Sequence, residues 1–288
     1  MKYHNWVPSL GRHPIFFTDV MKFAPICRRL PLALLWLVSL QGATEEALVR
    51  VWRDVADSKL PEAELQLSAA PKGDARKVRL TEVVIGMGRP PISRQDFDQY
   101  QRVLAELAAG RDELADLALY LEARLFQVHA VSPDFAQAEA LYLALAERSA
   151  GSHWAQLGLV KVGLIRLYAL ATPTVPADRL ASVEALLGRI TEPALKRDLQ
   201  LQIGWAGLHY RRPLDEILPH LIAAEAAGGL MGITPENLVL QIGELSFRSG
   251  KTAQARAYFE RFLADYPTSI RRYNVEQRLV GMGGQPGR

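Results

Sequence analysis

The sequence predicts an all-α protein, an α-solenoid of antiparallel helix pairs with degenerate repeats. Three observations carry this. Apolar residues recur three and four positions apart along most of the chain, marking one helix face after another. Gly and Pro break that periodicity at short intervals, so helices of similar length follow one another through tight turns, which favours a stack of pairs over a globular bundle. Strand-favouring runs of Val, Ile and Thr are scarce. With 288 residues, 49% hydrophobic and 23% charged, the chain has the apolar material for one or two domains.

The first 43 residues stand apart. Residues 1–20 show no usable periodicity, and Met21-Lys22 makes a better start than Met1. They are expected to be a non-native upstream extension or a disordered tail. Residues 21–43 follow the order of a secretory signal peptide: Arg28 and Arg29, an apolar run from Leu30 to Leu40, then small or polar residues up to Ala43. The apolar run is short for a hydrocarbon core of roughly 30 Å. Gln41 sits where cleavage after Ala43 prefers a small residue, so an uncleaved signal anchor is the alternative. Either way the expectation is an exported chain, free in the periplasm or secreted, or tethered to the inner membrane through 30–40. The single cysteine, Cys27, lies in this leader, leaving a mature chain without thiols.

The formal charge of +3 could suggest nucleic acid, but the cations are in the leader. Of 34 Lys/Arg and 31 Asp/Glu, residues 1–43 hold five and one, so 29 and 30 remain and the rest carries a net −1. No dense basic stripe is left to displace counterions from a phosphate backbone.

From residue 44 the helices follow in order. Residues 44–110 are expected to form N-terminal helical hairpins. Leu48, Val51, Trp52 and Val55 mark the first helix face; a second helix stops at Pro71-Lys72-Gly73. A third, with Val78, Leu80, Val83 and Val84, breaks at Gly88-Arg89-Pro90-Pro91. Ser93 is a candidate N-cap for a helix that ends at Gly110. Residues 111–281 are expected to form the solenoid. Its helices lie near 111–130, 134–149, 152–171, 177–189, 193–211, 213–227, 235–249 and 252–266. A capping helix follows at 269–281, burying Tyr273 and Leu279, and 282–288 is expected to be a disordered tail.

Residues 236–269 carry the clearest repeat. Val239, Ile242 and Gly243 occupy one helix, Gly250 the turn, and Ala255, Phe259, Leu263 and Pro267 the second helix and exit; Thr234 reads as an N-cap with Pro235 after it. Gly243 and Ala255 are small where two helices must approach closely, and Phe259 and Leu263, four apart, are placed to cover the next repeat. This pattern resembles the tetratricopeptide (TPR) family. The run from Ala257 to Pro267 is similar to repeats of bacterial envelope TPR proteins such as the Tol–Pal periplasmic coordinator and the helical lipoprotein of the outer-membrane assembly machine. Degenerate units precede it: Trp154, Leu157 and Gly158, with Ala138 and Tyr142 in the helix before, and then Ile203-Gly204.

The resemblance implies a scaffold that binds a protein or peptide along the groove lined by the first helix of each unit. Carried onto this chain, the groove residues are Asp198, Leu201, Trp205, Leu208 and His209 in one unit. In the last unit they are Asn237, Leu240, Glu244, Phe247 and Arg248. Trp205 and Phe247 would anchor an apolar side chain, and Arg248 and His209 would pair with acidic groups. The competing reading makes Trp205 and Phe247 ordinary packing between repeats.

No catalytic constellation is legible. His129, His153, His209 and His220 lack the spacing of a helical zinc motif with a third ligand. Gly86-Met87-Gly88 lacks both a third glycine and a preceding strand. No phosphate loop or nucleophile elbow occurs. The expectation is an envelope scaffold, not an enzyme, with no cofactor, no metal and no nucleic-acid partner. An anchored subunit of an envelope complex is the alternative, and a helical enzyme or small-ligand protein with an unrecognised pocket the more distant one.

Overall fold

The computed structural model describes residues 46–70, 73–89 and 91–283, and they are all-α. The expected signal segment 21–43, with its apolar run 30–40, and the extension 1–20 lie outside the described residues. Thirteen α-helices follow one another among the described residues, with no strand. We label them α1 (46–56), α2 (Leu60–Ala69), α3 (Ala75–Met87), α4 (Arg94–Ala108), α5 (Glu113–Arg124), α6 (Phe135–Arg148) and α7 (His153–Tyr168). Then come α8 (Pro176–Glu184), α9 (Pro193–His209), α10 (Leu214–Ala226), α11 (Thr234–Arg248), α12 (Thr252–Asp265) and α13 (Arg272–Gly283). Two compact units part between Leu141 and Tyr142, within α6.

In the first unit α2 to α5 pack in sequence. Three side chains start helices by accepting from early backbone N–H groups: Asp74 from Arg76, Ser93 from Asp96 and Asp112 from Ala115. Asp112 also holds Arg76 in a two-pronged pair at 2.6 and 2.9 Å. That contact keeps the Asp112 carboxyl at about 2. The expected helix 111–130 changes geometry midway: α5 passes at Leu125 into a π turn that ends at His129.

In the second unit the helices stack. α11 is shared between two cores. Leu238, Ile242 and Leu245 pack with Leu201, Ile217, Leu218 and Leu221. Val239, one residue round the helix, packs with Ala255, Phe259, Phe262, Val275 and Met282. One pair thus buries each face against a different neighbour, as stacked helix pairs require. Close approach is allowed by glycine: a Cβ at Gly204 would fall 2.4 Å from Leu221 Cδ2, and one at Gly243 would fall 2.8 Å from Phe259 Cε1. Phe259 therefore seats on the first helix of its own pair while sharing a core with Val275 and Met282 of the helix that follows. Gly158 instead meets Tyr142 of the preceding helix, at 3.1 Å.

A constant register links the pairs α9/α10 and α11/α12. Trp205 reaches Gln241 between the first helices, Asp215 reaches Lys251 beside the turns, and Glu225 reaches Arg261 between the second helices, each pair 36 residues apart. From α11 to α13 the step is 34 residues, in Asn237–Arg271 and Glu244–Arg278.

Several local expectations change. Thr234 is the first helical residue and makes no side-chain cap; Ile233 precedes it in helical conformation, so the helix begins a residue earlier than the Thr-Pro pair suggests. The helix expected over 177–189 divides into α8 and a 3₁₀ turn, Leu187–Arg189. α13 begins at Arg272 and runs through Gly283, with Val275 and Met282 buried. Tyr273 is exposed and Leu279 only half-buried. A helix docked on one neighbour buries one stripe, and here that stripe is 275/282.

Candidate functional site

The candidate groove is the face formed by the first helices α9, α11 and α13. Their lateral contacts are Trp205 Nε1 donating to Gln241 Oε1 at 3.4 Å and Arg278 donating to both carboxylate oxygens of Glu244 at 3.1 and 3.0 Å. Arg271 also donates to Asn237.

Only some of the sequence-derived groove residues line an open surface. Leu201 is buried in the core between α9, α10 and α11, and Leu208 packs against the same core, so both are packing residues. Asp198 accepts from Arg197 at 2.7 Å, while Arg197 also donates to the Gly228 carbonyl at 3.0 Å, tying α9 to the loop before α11. In α11, Leu240 and Phe247 pack against the core shared with α12 and α13. Asn237 and Glu244 are engaged by α13, and the Arg278 guanidinium lies 5.1 Å above the Phe247 ring. The capping helix therefore sits on the face that sequence reading assigned to a ligand. A shallow cavity of about 630 Å³ remains along that contact, lined by Leu240, Glu244, Arg271, Asn274, Val275 and Arg278.

Trp205, His209 and Arg248 stay on the surface. Trp205 is 39% exposed despite its size, because its neighbours in α9, Gly204 and Ala206, turn inward while it turns out. The two alternatives for the aromatics thus divide: Trp205 is surface and Phe247 is packing. His209 lies one turn after Trp205 and meets Tyr168 edge-on at 5.8 Å and Tyr210 at 4.9 Å. Tyr210 donates its hydroxyl to the Leu167 carbonyl, which ties the ends of α7 and α9 together. Burial, with Tyr210 beside it, pushes the Tyr168 hydroxyl up to about 12. Arg248 is exposed and makes no ion pair among the described residues. Neighbouring carboxylates are already neutralised: Glu244 by Arg278, Asp215 by Lys251 and Glu216 by Arg212. The result is a surface strip in which Tyr168 meets His209 and Trp205 lies one turn earlier on α9, while Arg248 is exposed on α11, seven residues after Gln241.

Tyr168 was not legible from the repeat pattern, because its helix α7 matches the motif only at its start. Its position opposite His209 depends on how α7 docks on α9. Among the described residues no three His, Cys, Asp or Glu side chains stand together as metal ligands. None of the described helices is long and apolar enough to cross a membrane. No family model, curated protein or solved structure matches the chain significantly, so the site is read from its own geometry.

Proposed function

We propose that the chain is an exported TPR-like scaffold of the bacterial cell envelope, binding a protein partner through the first-helix face of residues 142–283 and performing no catalysis. The observation that carries this is Trp205, a large aromatic left on the surface between α9 and α11, with the exposed Arg248 on the same first helix α11 that Trp205 contacts. Aromatic and arginine side chains supply most of the energy at protein interfaces. The constant 36-residue offset of the contacts between consecutive pairs supports a repeat stack. The order of charge, apolar run and small residues in 21–43 supports export.

The partner segment is acidic with an apolar anchor: the anchor packs on Trp205, and its carboxylates meet Arg248. Pull-down from envelope extract with Trp205→Ala and Arg248→Ala tests the face. Loss of a wild-type partner in both variants is expected; retention of every partner by both contradicts the assignment. Sequencing the N-terminus of the mature protein tests export: a start near Thr44 is expected, and a start at residue 1 or 21 replaces the free form with an anchored one.

A further inference from the structure

α5 is buried on every side over nine consecutive residues, Ala115 to Ala123, as a helix at the centre of a core is. Glu122 stands in that run. It is 8% exposed, and its carboxylate makes no hydrogen bond and no ion pair among the described residues. The elements packed on α5 are α4 and the π turn, and they offer it no countercharge. The charged residues of α4 are Arg94, Asp96, Asp98, Arg102 and Glu106, and none of them pairs with Glu122. Asp96 accepts from Ser93, Arg102 donates to the Asp98 carbonyl, and Glu106 is held by Arg79. Arg124, two residues on, donates to Gln127 at 2.8 Å, and its charge bears on His129 at the end of the π turn. Burial alone pushes the Glu122 carboxyl up from its ordinary 4.5. A carboxylate taken out of water without a partner is strongly disfavoured, whereas its protonated form is tolerated.

The place of Glu122 in the helix couples that preference to the backbone. Its carbonyl accepts from the Leu125 N–H, where α5 passes into the π turn. The turn closes by the Ala130 N–H donating to the Leu125 carbonyl at 3.1 Å. Such wide turns are rare and occur mostly at functional sites. Leu125 is fully buried, and Phe126 meets Phe97 of α4 edge-on at 5.4 Å. We propose that Glu122 is a proton-controlled latch on this segment. Protonated, it keeps the end of α5 and the π turn packed on α4. Ionised, it turns out to water, and the segment opens and exposes Leu125 and Phe126. The folded value is raised, so the stability that the neutral carboxyl gives is fully present below 4.5 and is lost as pH rises through the folded value. His129 acts on the same segment in the other direction, its stability being lost toward acid. A substitution at 122 alone separates the two.

Hydrogen exchange of the full chain, read by mass spectrometry on peptides covering 113–130, tests the latch. Wild type and Glu122→Gln are compared at about pH 4.5 and about pH 8, at and well above the ordinary carboxyl value. Glutamine keeps the shape and cannot ionise, and His129 is common to both chains and cancels. At the lower pH the two are expected to be protected equally over 113–130. At the higher pH the Gln variant is expected to be at least about tenfold better protected there, a tenfold change corresponding to one pH unit of displaced titration. Peptides covering 234–248, in the second unit, are expected not to change. Glu122→Met, neutral and of similar length, is expected to behave as the Gln variant, which keeps the test open should either chain fold poorly. Equal protection of all three chains at the higher pH overturns the proposal. So does a gain of the same size at both pH values, which would make packing and not the proton responsible. Weaker protection of both variants at the higher pH also overturns it, because the carboxylate would then hold the segment closed.

Discussion

The Phe259 ring lies over Gly243 so closely that a methyl group at 243 would come within 2.8 Å of Cε1 and 2.9 Å of Cδ1. Phe259 is fully buried, so the ring has little room to retreat. Gly243→Ala therefore sets two effects against each other. Alanine gains about 1 kcal/mol in helix propensity, and overpacking a filled core costs about 1–3 kcal/mol. A net loss of up to about 2 kcal/mol is expected in urea unfolding, recovered in part by adding Phe259→Leu. Gly281→Ala, with open space around it, is expected to be neutral or slightly stabilising.

Gln156 is almost wholly buried, and its side-chain carbonyl accepts from the backbone N–H groups of Thr191 and Glu192 at 2.7 and 2.9 Å. These donors lie at the start of α9, where no earlier turn supplies acceptors. Gln156→Leu keeps the volume and removes the acceptor. Leaving buried donors unpaired costs about 1–3 kcal/mol each, so a loss of about 2–3 kcal/mol is expected by denaturant titration. A loss below about 0.5 kcal/mol would show that water replaces the amide.

The order of helices was readable in advance because Leu199, Ile203, Ile242 and Phe259 recur at helical spacing between Gly and Pro breaks, and those residues are the core. Ser93 was readable as a cap because its chemistry is local. The groove was less so. Leu201 and Trp205 lie four apart on α9, yet one is buried and the other exposed; which of them faces a neighbour depends on how α9 docks. The hold of α13 on Asn237 and Glu244 depends on Arg271 and Arg278, whose sequence context marks only surface charge.

Surface position predicts a separation of binding from stability at Trp205 and Arg248. Neither fills a core, and Arg248 forms no ion pair among the described residues. Arg248→Ala is expected to change unfolding free energy by less than about 0.5 kcal/mol, and Trp205→Ala, which loses its partial burial and the Gln241 contact, by about 1 kcal/mol. A drop of several kcal/mol for Trp205→Ala in urea unfolding would mark the indole as packing between α9 and α11.

His129, at the end of the π turn, is held at about 4, below its ordinary 6.5, by burial and then by the Arg124 charge. The folded value is depressed, so the unfolded chain takes up the proton first. Stability from neutral His129 is fully present above pH 6.5 and is lost as pH falls from there to about 4. The loss is of order 2–3 kcal/mol at most. His129→Gln is expected to flatten the difference in urea midpoint between pH 7.5 and pH 4.5, these being roughly a unit above the ordinary value and near the depressed one. An unchanged difference would place the sensitivity elsewhere.

Site-specific photo-cross-linking in intact cells addresses the binding face most directly. A photoreactive residue at position 205 or 248 is expected to capture one and the same partner protein, while the same residue at Ala257, exposed on the second helix α12, captures none. Equal capture from Ala257, or no adduct from either 205 or 248, would contradict the account.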